Sequence, residues 1–361
     1  MKPAPPFVVK TGLVALAAVA AVAPTSPAWI ESVYSRGVYL SLQRVITSAS
    51  NLTSVAVLDV LLGFAIVAAA IWLVARIRRR GSSGWGRTLV RIAGDTLVTA
   101  ACVYLVFLAV WGLNYRRQSL RATLDFDETR VTRDALGALL NRAVDELNAL
   151  HGPAHGREWP SLDAMPAALA PAFDEAQRRL GLPRTAMIGR PKSSLLSWYF
   201  QGAAIDGMTD PFALEVIVNP EVLPFERPAV LAHEWAHLAG FADESEASFV
   251  GWLACVQGGE QARYSAWLSL FLHLASDVPA DEYRAAMEKL DRGARDDVRA
   301  IVARVRRAVP IVRTAALRVY DGYLKANRVE SGVKSYDEVV ALVAGTRFDA
   351  AGRPLLRRAN P

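Results

Sequence analysis

The residues best suited to chemistry lie in the stretch HEWAHLAGFADESEASF, from His233 to Phe249. Two of the chain's five histidines sit here, four residues apart, and Glu234 follows the first of them. On a helix, positions i and i+4 share one face, a turn apart. Two imidazoles so placed can grip one zinc ion, and the glutamate between them stands near the open coordination position. The chemistry expected of this HExxH arrangement is hydrolysis. The metal acidifies its bound water, and Glu234 takes the proton as that water attacks a carbonyl. Glu234 argues against a purely structural zinc, which needs ligands and no base.

A third protein ligand is needed, and Glu244, Glu246 and Asp243 are the candidates, in that order. Asp243 suits the N-cap of a following helix, with Glu246 at the third position closing a capping box. Glu244 then opens that helix and faces back across a turn at Gly240. The order Glu244-x-x-Ala247-Ser248 resembles the ligand pattern of gluzincins such as thermolysin, where a small residue lets two helices approach and a polar one supports a ligand histidine. Ser248 stands where Asp or Asn is usual, which predicts weak support or none. A donor to a tetrahedral oxyanion is also expected. Tyr320, Tyr323 and His273 are the candidates, and all three also suit packing. His151 and His155 repeat the i, i+4 spacing, but Gly152 and Pro153 fall between them, so a loop is expected there.

The elements that position these residues can be read from pattern. RPAVLAHEWAHLAG reads as a helix, with Pro228 in its first turn and Gly240 at its end. Just upstream, Leu214, Glu215, Val216, Ile217 and Val218 read as a strand that stops at Asn219-Pro220. That strand is expected to belong to a small sheet and to pair with an extended substrate by strand addition. TRDALGALLNRAVDELNAL and SLDAMPAALAPAFDEAQRRL show helical spacing. Further helices are expected over 247–256, 261–274, 280–290, 296–307 and 311–326.

The N-terminal third differs in kind. Apolar runs over about 8–30, 53–75 and 94–115 approach the roughly 20 residues a membrane span requires. The first also resembles a cleavable signal peptide, and the other two favour reading it as an uncleaved helix. RIRRRGSSGWGRTLVR, between the second and third runs, holds six arginines. Such loops stay cytoplasmic, which places everything after Tyr115 outside, against the smaller pull of Arg116, Arg117 and Arg121. An intramembrane protease is excluded, because Glu226, Arg227 and the acidic residues 243–246 bracket the HExxH helix too closely for a span.

Bulk properties agree with this division. The chain has 361 residues, is 52% hydrophobic and carries a net charge of +6. Its basic residues are clustered, with no zinc-finger spacing and no basic-aromatic platform, so nucleic acid is not an expected partner. Two cysteines, Cys102 and Cys255, exclude a disulfide framework and a thiolate zinc site.

The segments WGLNYRR, GAAIDGMTDPFALEVIVNP, HEWAHLAGFADESEASFVGWLAC and VYDGYLKANRVESGVKSYDEVV together resemble an uncharacterised bacterial membrane family, filed as a domain of unknown function and regarded as zinc peptidases. The resemblance runs from about Gly112 to Val340, plus the anchors. It implies a gluzincin-like metallopeptidase with His233, Glu234 and His237 in their usual roles and Glu244 as third ligand. The expected fold is mostly α with a small β-sheet. Residues 1–118 form a membrane anchor of three transmembrane helices, and residues 119–361 a zincin-like domain. The expected protein is a multi-pass component of the bacterial cytoplasmic membrane. It faces outward, binds zinc and hydrolyses peptide or protein substrates beside the lipid bilayer. A cell-wall amidase and a non-catalytic scaffold are the alternatives.

Overall fold

The computed structural model describes residues 6–79, 84–330, 332–333 and 338–357; Arg80 of the basic loop and several residues of the segment 319–340 lie outside these. Two helices, α4 (Val57–Arg78) and α5 (Gly84–Val110), are long and apolar enough to cross a membrane, and none of the apolar window of α4 is buried by protein. The first expected span ends early. Helix α1 (Pro6–Val22) stops before Pro24, and the chain bends by 105° before it resumes. Pro24 and Pro27 have no N–H to continue the ladder. After the bend, α2 (Pro27–Trp29), a π-helix (Ile30–Val38) and α3 (Tyr39–Ser50) pack onto the folded domain. Asp95, partway along α5, meets Lys10 near the start of α1 and Arg76 near the end of α4, so paired charges tie the three helices together. The ends at Val22, Val57 and Val110 therefore share a side.

The mostly helical remainder holds one small sheet. β1 (Pro191–Lys192), β2 (Gly207–Asp210) and β3 (Glu215–Val218) run in the order β1-β3-β2, with β1 parallel and β2 antiparallel to β3. This corrects the expectation for Leu214, Glu215, Val216, Ile217 and Val218. Leu214 precedes the strand in a left-handed conformation, φ 44°, and the other four form the central, fully buried strand. Both flanks of a central strand are already hydrogen-bonded, so it cannot accept a substrate. β1 and β2 are the edge strands; β2 is the one beside Glu234, and among the described residues no backbone hydrogen bond reaches its outer edge. Between the strands, α9 (Ser197–Ala203) links β1 to β2. Glu215 has a different task. Its carboxylate accepts the N–H groups of Val57 (3.0 Å) and Leu58 (2.8 Å), capping the start of α4, and pairs with buried Lys192 at 2.7 Å.

Helices surround the sheet: α6 (Leu120–Thr123), α7 (Arg133–His155), α8 (Met165–Arg179), α10 (Arg227–Leu238), α11 (Glu244–Val256), α12 (Glu260–Asp277), α13 (Ala280–Lys289), α14 (Arg292–Val305), α15 (Pro310–Ala326) and α16 (Glu338–Gly345). The loop expected at His151 and His155 is instead the last turn of α7, which continues through Gly152 and Pro153. Burial of Leu147, Leu150 and Ala154 along the last turns of α7 outweighs the one hydrogen bond that proline removes. A single core joins Ile30, Tyr39, Phe107 and Trp111 to Trp235, Phe249 and Phe271, so packing crosses residue 118 without a break.

Candidate metal centre

Helix α10 carries the HExxH residues. Pro228 sits in its first turn, and after Leu238 the chain turns through Gly240 at φ 86°, which a residue with a Cβ rarely adopts. Asp243 then caps α11, accepting from Ser245 N at 2.9 Å and Glu246 N at 3.3 Å. The reciprocal half of the capping box is absent. Glu246 Oε1 accepts the N–H of Leu120 at 2.6 Å instead, and burial, with Asp243 adding to it, pushes this carboxyl up to about 8. Asp243 and Glu246 thus have other work, and Glu244 is the acid that turns toward the histidines. Helices α10 and α11 approach closely because residue 251 is glycine; a Cβ there would lie 2.9 Å from the backbone nitrogen of His233.

Three ligand atoms converge. His233 Nε2 and His237 Nε2 are 3.1 Å apart, and Glu244 Oε2 lies 3.2 Å from the first and 3.4 Å from the second. A tetrahedral zinc with bonds of roughly 2.0–2.1 Å holds its ligands about 3.3 Å apart, so the donor set fits that ion. The imidazole planes cross at 89°, so the in-plane lone pairs of the two rings are not parallel. Glu244 Oε2 is buried, and among the described residues no hydroxyl or backbone N–H satisfies it. Burial raises the Glu244 carboxyl, but the charges of His237 and His233 outweigh this and hold it well below the usual range. Burial lowers His237, and Glu244 more than reverses that, to about 9. Glu244 and a protonated His237 thus stabilise each other's charge; a zinc ion would likewise hold Glu244 ionised, but it would take both imidazoles in their neutral form.

The outer nitrogens of both histidines are also held. His237 Nδ1 meets the carbonyl of Phe241 at 2.8 Å, and His233 Nδ1 meets Ser248 Oγ at 3.1 Å. Such partners fix tautomer and ring direction, leaving Nε2 for a metal. The expectation that Ser248 gives weak support or none is corrected: α11 lies near enough for a hydroxyl to reach.

Glu234 faces β2. It is 4% exposed, and Thr209 Oγ1 lies 2.9 Å from its Oε2. Burial raises its carboxyl, against the pull of His233 and His237. Position 207 is filled by glycine, where a Cβ would stand 2.6 Å from Glu234 Oε1. Tyr320, from α15, donates its hydroxyl to Glu244 Oε1. Tyr323 stacks on Tyr320 and packs against Phe107 and Tyr115, so it supports that hydroxyl from behind. His273 lies on α12 and is not part of the ligand group.

Several residues at the site escaped sequence reasoning. Thr209 and Gly207 lie inside GAAIDGMTDPFALEVIVNP, a segment that carries the family resemblance, yet neither residue type marks a role there. Trp111 donates its indole N–H to the His237 carbonyl at 3.1 Å, and Tyr39 donates to the Leu238 carbonyl at 3.0 Å. Both come from the N-terminal third, more than a hundred residues from the helix they brace.

The chain belongs to the family described as Protein of unknown function (DUF3810), which it matches over residues 34–344. Neither a curated protein nor a solved structure matches it.

Proposed function

We propose that this protein is a membrane-anchored, zinc-dependent metallopeptidase of zincin-like build, with His233, His237 and Glu244 as ligands and Glu234 as general base. The observation that carries this reading is the ligand triangle of 3.1, 3.2 and 3.4 Å, with the acid of the same helix held beside it and not in it. When bound, zinc acidifies a water and polarises a carbonyl. Glu234 accepts that water's proton on a carboxylate oriented by Thr209, and returns it to the leaving amine. The Tyr320 hydroxyl, which donates to Glu244 Oε1 in this structure, would turn from it to donate to the oxygen on which charge develops. The free edge of β2 favours an extended peptide as substrate, since main-chain pairing there would lay it across Glu234.

Two of the three arginines that pull toward the opposite orientation are engaged within the folded chain. Arg117 is consumed by Glu31 (2.7 Å) and the Gly240 carbonyl (2.7 Å), and Arg116 by the Ala20 carbonyl (2.7 Å). The basic loop between α4 and α5 then sets the topology, with the ligand group on the outer side of a bacterial cytoplasmic membrane. The test compares zinc content and new protein termini in cell envelopes carrying wild-type protein or Glu234→Gln. The expected result is full zinc in both and termini made only by wild type. Zinc-free wild-type protein, or identical termini, overturns the proposal.

A further inference from the structure

The peptidase reading leaves open where a substrate would come from, and an apolar rim around the outer end of α4 bears on that. Leu52, Val55, Leu195 and Trp198 are between 56% and 88% exposed. They are gathered at one place. Val55 bridges to Ser193, while Ser194 Oγ and the Leu195 N–H both bind the Asp59 carboxylate, at 2.5 and 2.8 Å, in the first turn of α4. The rim is therefore continuous with the bare apolar surface of α4, where Val60 and Phe64 are 61% and 73% exposed. Water is an unfavourable neighbour for so many large apolar side chains together, and a tryptophan at the end of a span suits the headgroup zone.

Helix α15 extends the same face. Its first residues meet α9, through Val309 N to the Gly202 carbonyl at 2.9 Å. Toward its far end Tyr323 packs on Phe107 of α5, and just beyond the helix Arg328 binds the carbonyls of Ala21 and Ala23 at the end of α1. Its 17 residues, about 25 Å long, thus lie across the outer ends of the membrane helices. One side of α15 turns Tyr320 to Glu244, and another exposes Ile311 and Val319, at 78% and 74%. A helix with this division lies in an interface plane.

We propose that the rim and α15 sit in the outer leaflet, and that the substrates are polypeptides tethered to that membrane, cut in an extended segment close to their anchor. This rests on the peptidase reading for the cut and on the surface alone for the lipid contact. The link between the two is that α9 leads directly into β2 and α15 reaches Glu244, so the elements bounding the site are those touching lipid. Confinement to the same surface raises the effective concentration of a tethered chain over a free one.

Two measurements test it separately. The first uses full-length protein in nanodiscs of phosphatidylcholine and phosphatidylglycerol, with or without bromine on the acyl chains. The fluorescence difference between wild type and Trp198→Phe reports Trp198 alone. Quenching by brominated lipid and protection from aqueous iodide are expected. Iodide quenching without lipid quenching overturns the contact, and insensitivity to both means that protein, such as a second copy, covers the rim instead. The second maps Glu234-dependent termini in cells. They are expected beside membrane spans or lipid anchors, and Leu195→Ser with Val319→Ser should reduce them several-fold with zinc content unchanged. Termini scattered through unanchored proteins overturn the substrate class and leave the peptidase standing. No Glu234-dependent termini overturns the peptidase, while the quenching result still decides the lipid contact.

Discussion

His233, His237 and Glu244 have a counterpart elsewhere in the chain: His151, His155 and Asp297. Each group has two histidines one turn apart on a helix and a carboxylate from another helix, with its potential ligand atoms within 4.8 Å of one another. The difference lies in direction and prior engagement. The first pair of rings crosses at 89°, while the second is stacked at 24° with centroids 4.4 Å apart. Ring lone pairs lie in the ring plane, so near-parallel rings send them side by side and not to a point. Asp297 Oδ2 already meets the Tyr264 hydroxyl at 2.5 Å and His155 Nε2 at 2.8 Å, whereas among the described residues Glu244 Oε2 meets the two imidazoles alone. Gly293 packs closely on the His151 ring; a Cβ there would lie 2.2 Å from its Cε1. Burial, with His155 adding, keeps the His151 imidazole below its ordinary value. Spacing brings atoms near each other, and what already binds them decides whether a cation fits between.

The sharpest way to break this comparison is metal counting. His233→Ala should lose essentially all zinc, while His151→Ala with His155→Ala keeps one zinc per chain by elemental analysis; two zincs in wild type would end the contrast. Next in size is turnover. Gly207→Ala should cost about 10²-fold in rate, the low end for displacing a general base, with zinc retained, as substrate-cleavage kinetics would show. Ser248→Ala should then weaken zinc affinity by about 10-fold, the low end for losing a histidine's outer partner, measured by competition with a chelator. The smallest effect falls on the second group. Asp297→Asn removes a charged acceptor from Tyr264 and His155, and should lower stability by about 1–2 kcal/mol in a denaturant titration, with zinc unchanged. A loss of zinc there would reverse the assignment.

The sequence disclosed the parts of the site that are local. His233, Glu234 and His237 lie within one turn and a half of helix, and Glu244 is placed by the Gly240 turn and the Asp243 cap, both written in residue type. It did not disclose the parts assembled over distance. Nothing in Thr209, Gly207 or Trp111 announces a neighbour, because a hydroxyl, an absent side chain and an indole gain their roles only from what packs beside them. The strand over 215–218 was legible as a strand, yet its place in the middle of the sheet depends on two short partners, one of only two residues, too short to leave a pattern. Pro153 misled for the opposite reason: a local rule was strong, and tertiary packing of the helix was stronger.

The Glu215 carboxylate that caps α4 has a consequence for biogenesis. The chain is made from its N-terminus, so α1, α4 and α5 leave the ribosome before β3 exists. The N–H groups of Val57 and Leu58 wait for a strand about 160 residues later. In return, the Leu214 and Leu238 carbonyls wait for nothing: their donors, Thr47 and Tyr39, precede them in synthesis. Assembly thus runs in one direction, with the bilayer segments as a template on which the later domain closes. A fragment of residues 119–361 made alone would carry Lys192 and Glu215 without the helix start they serve, and a core lacking Tyr39 and Trp111. On the proposed function, the chain would have no competent form until it is inserted, which keeps a hydrolase silent in the compartment where it is made.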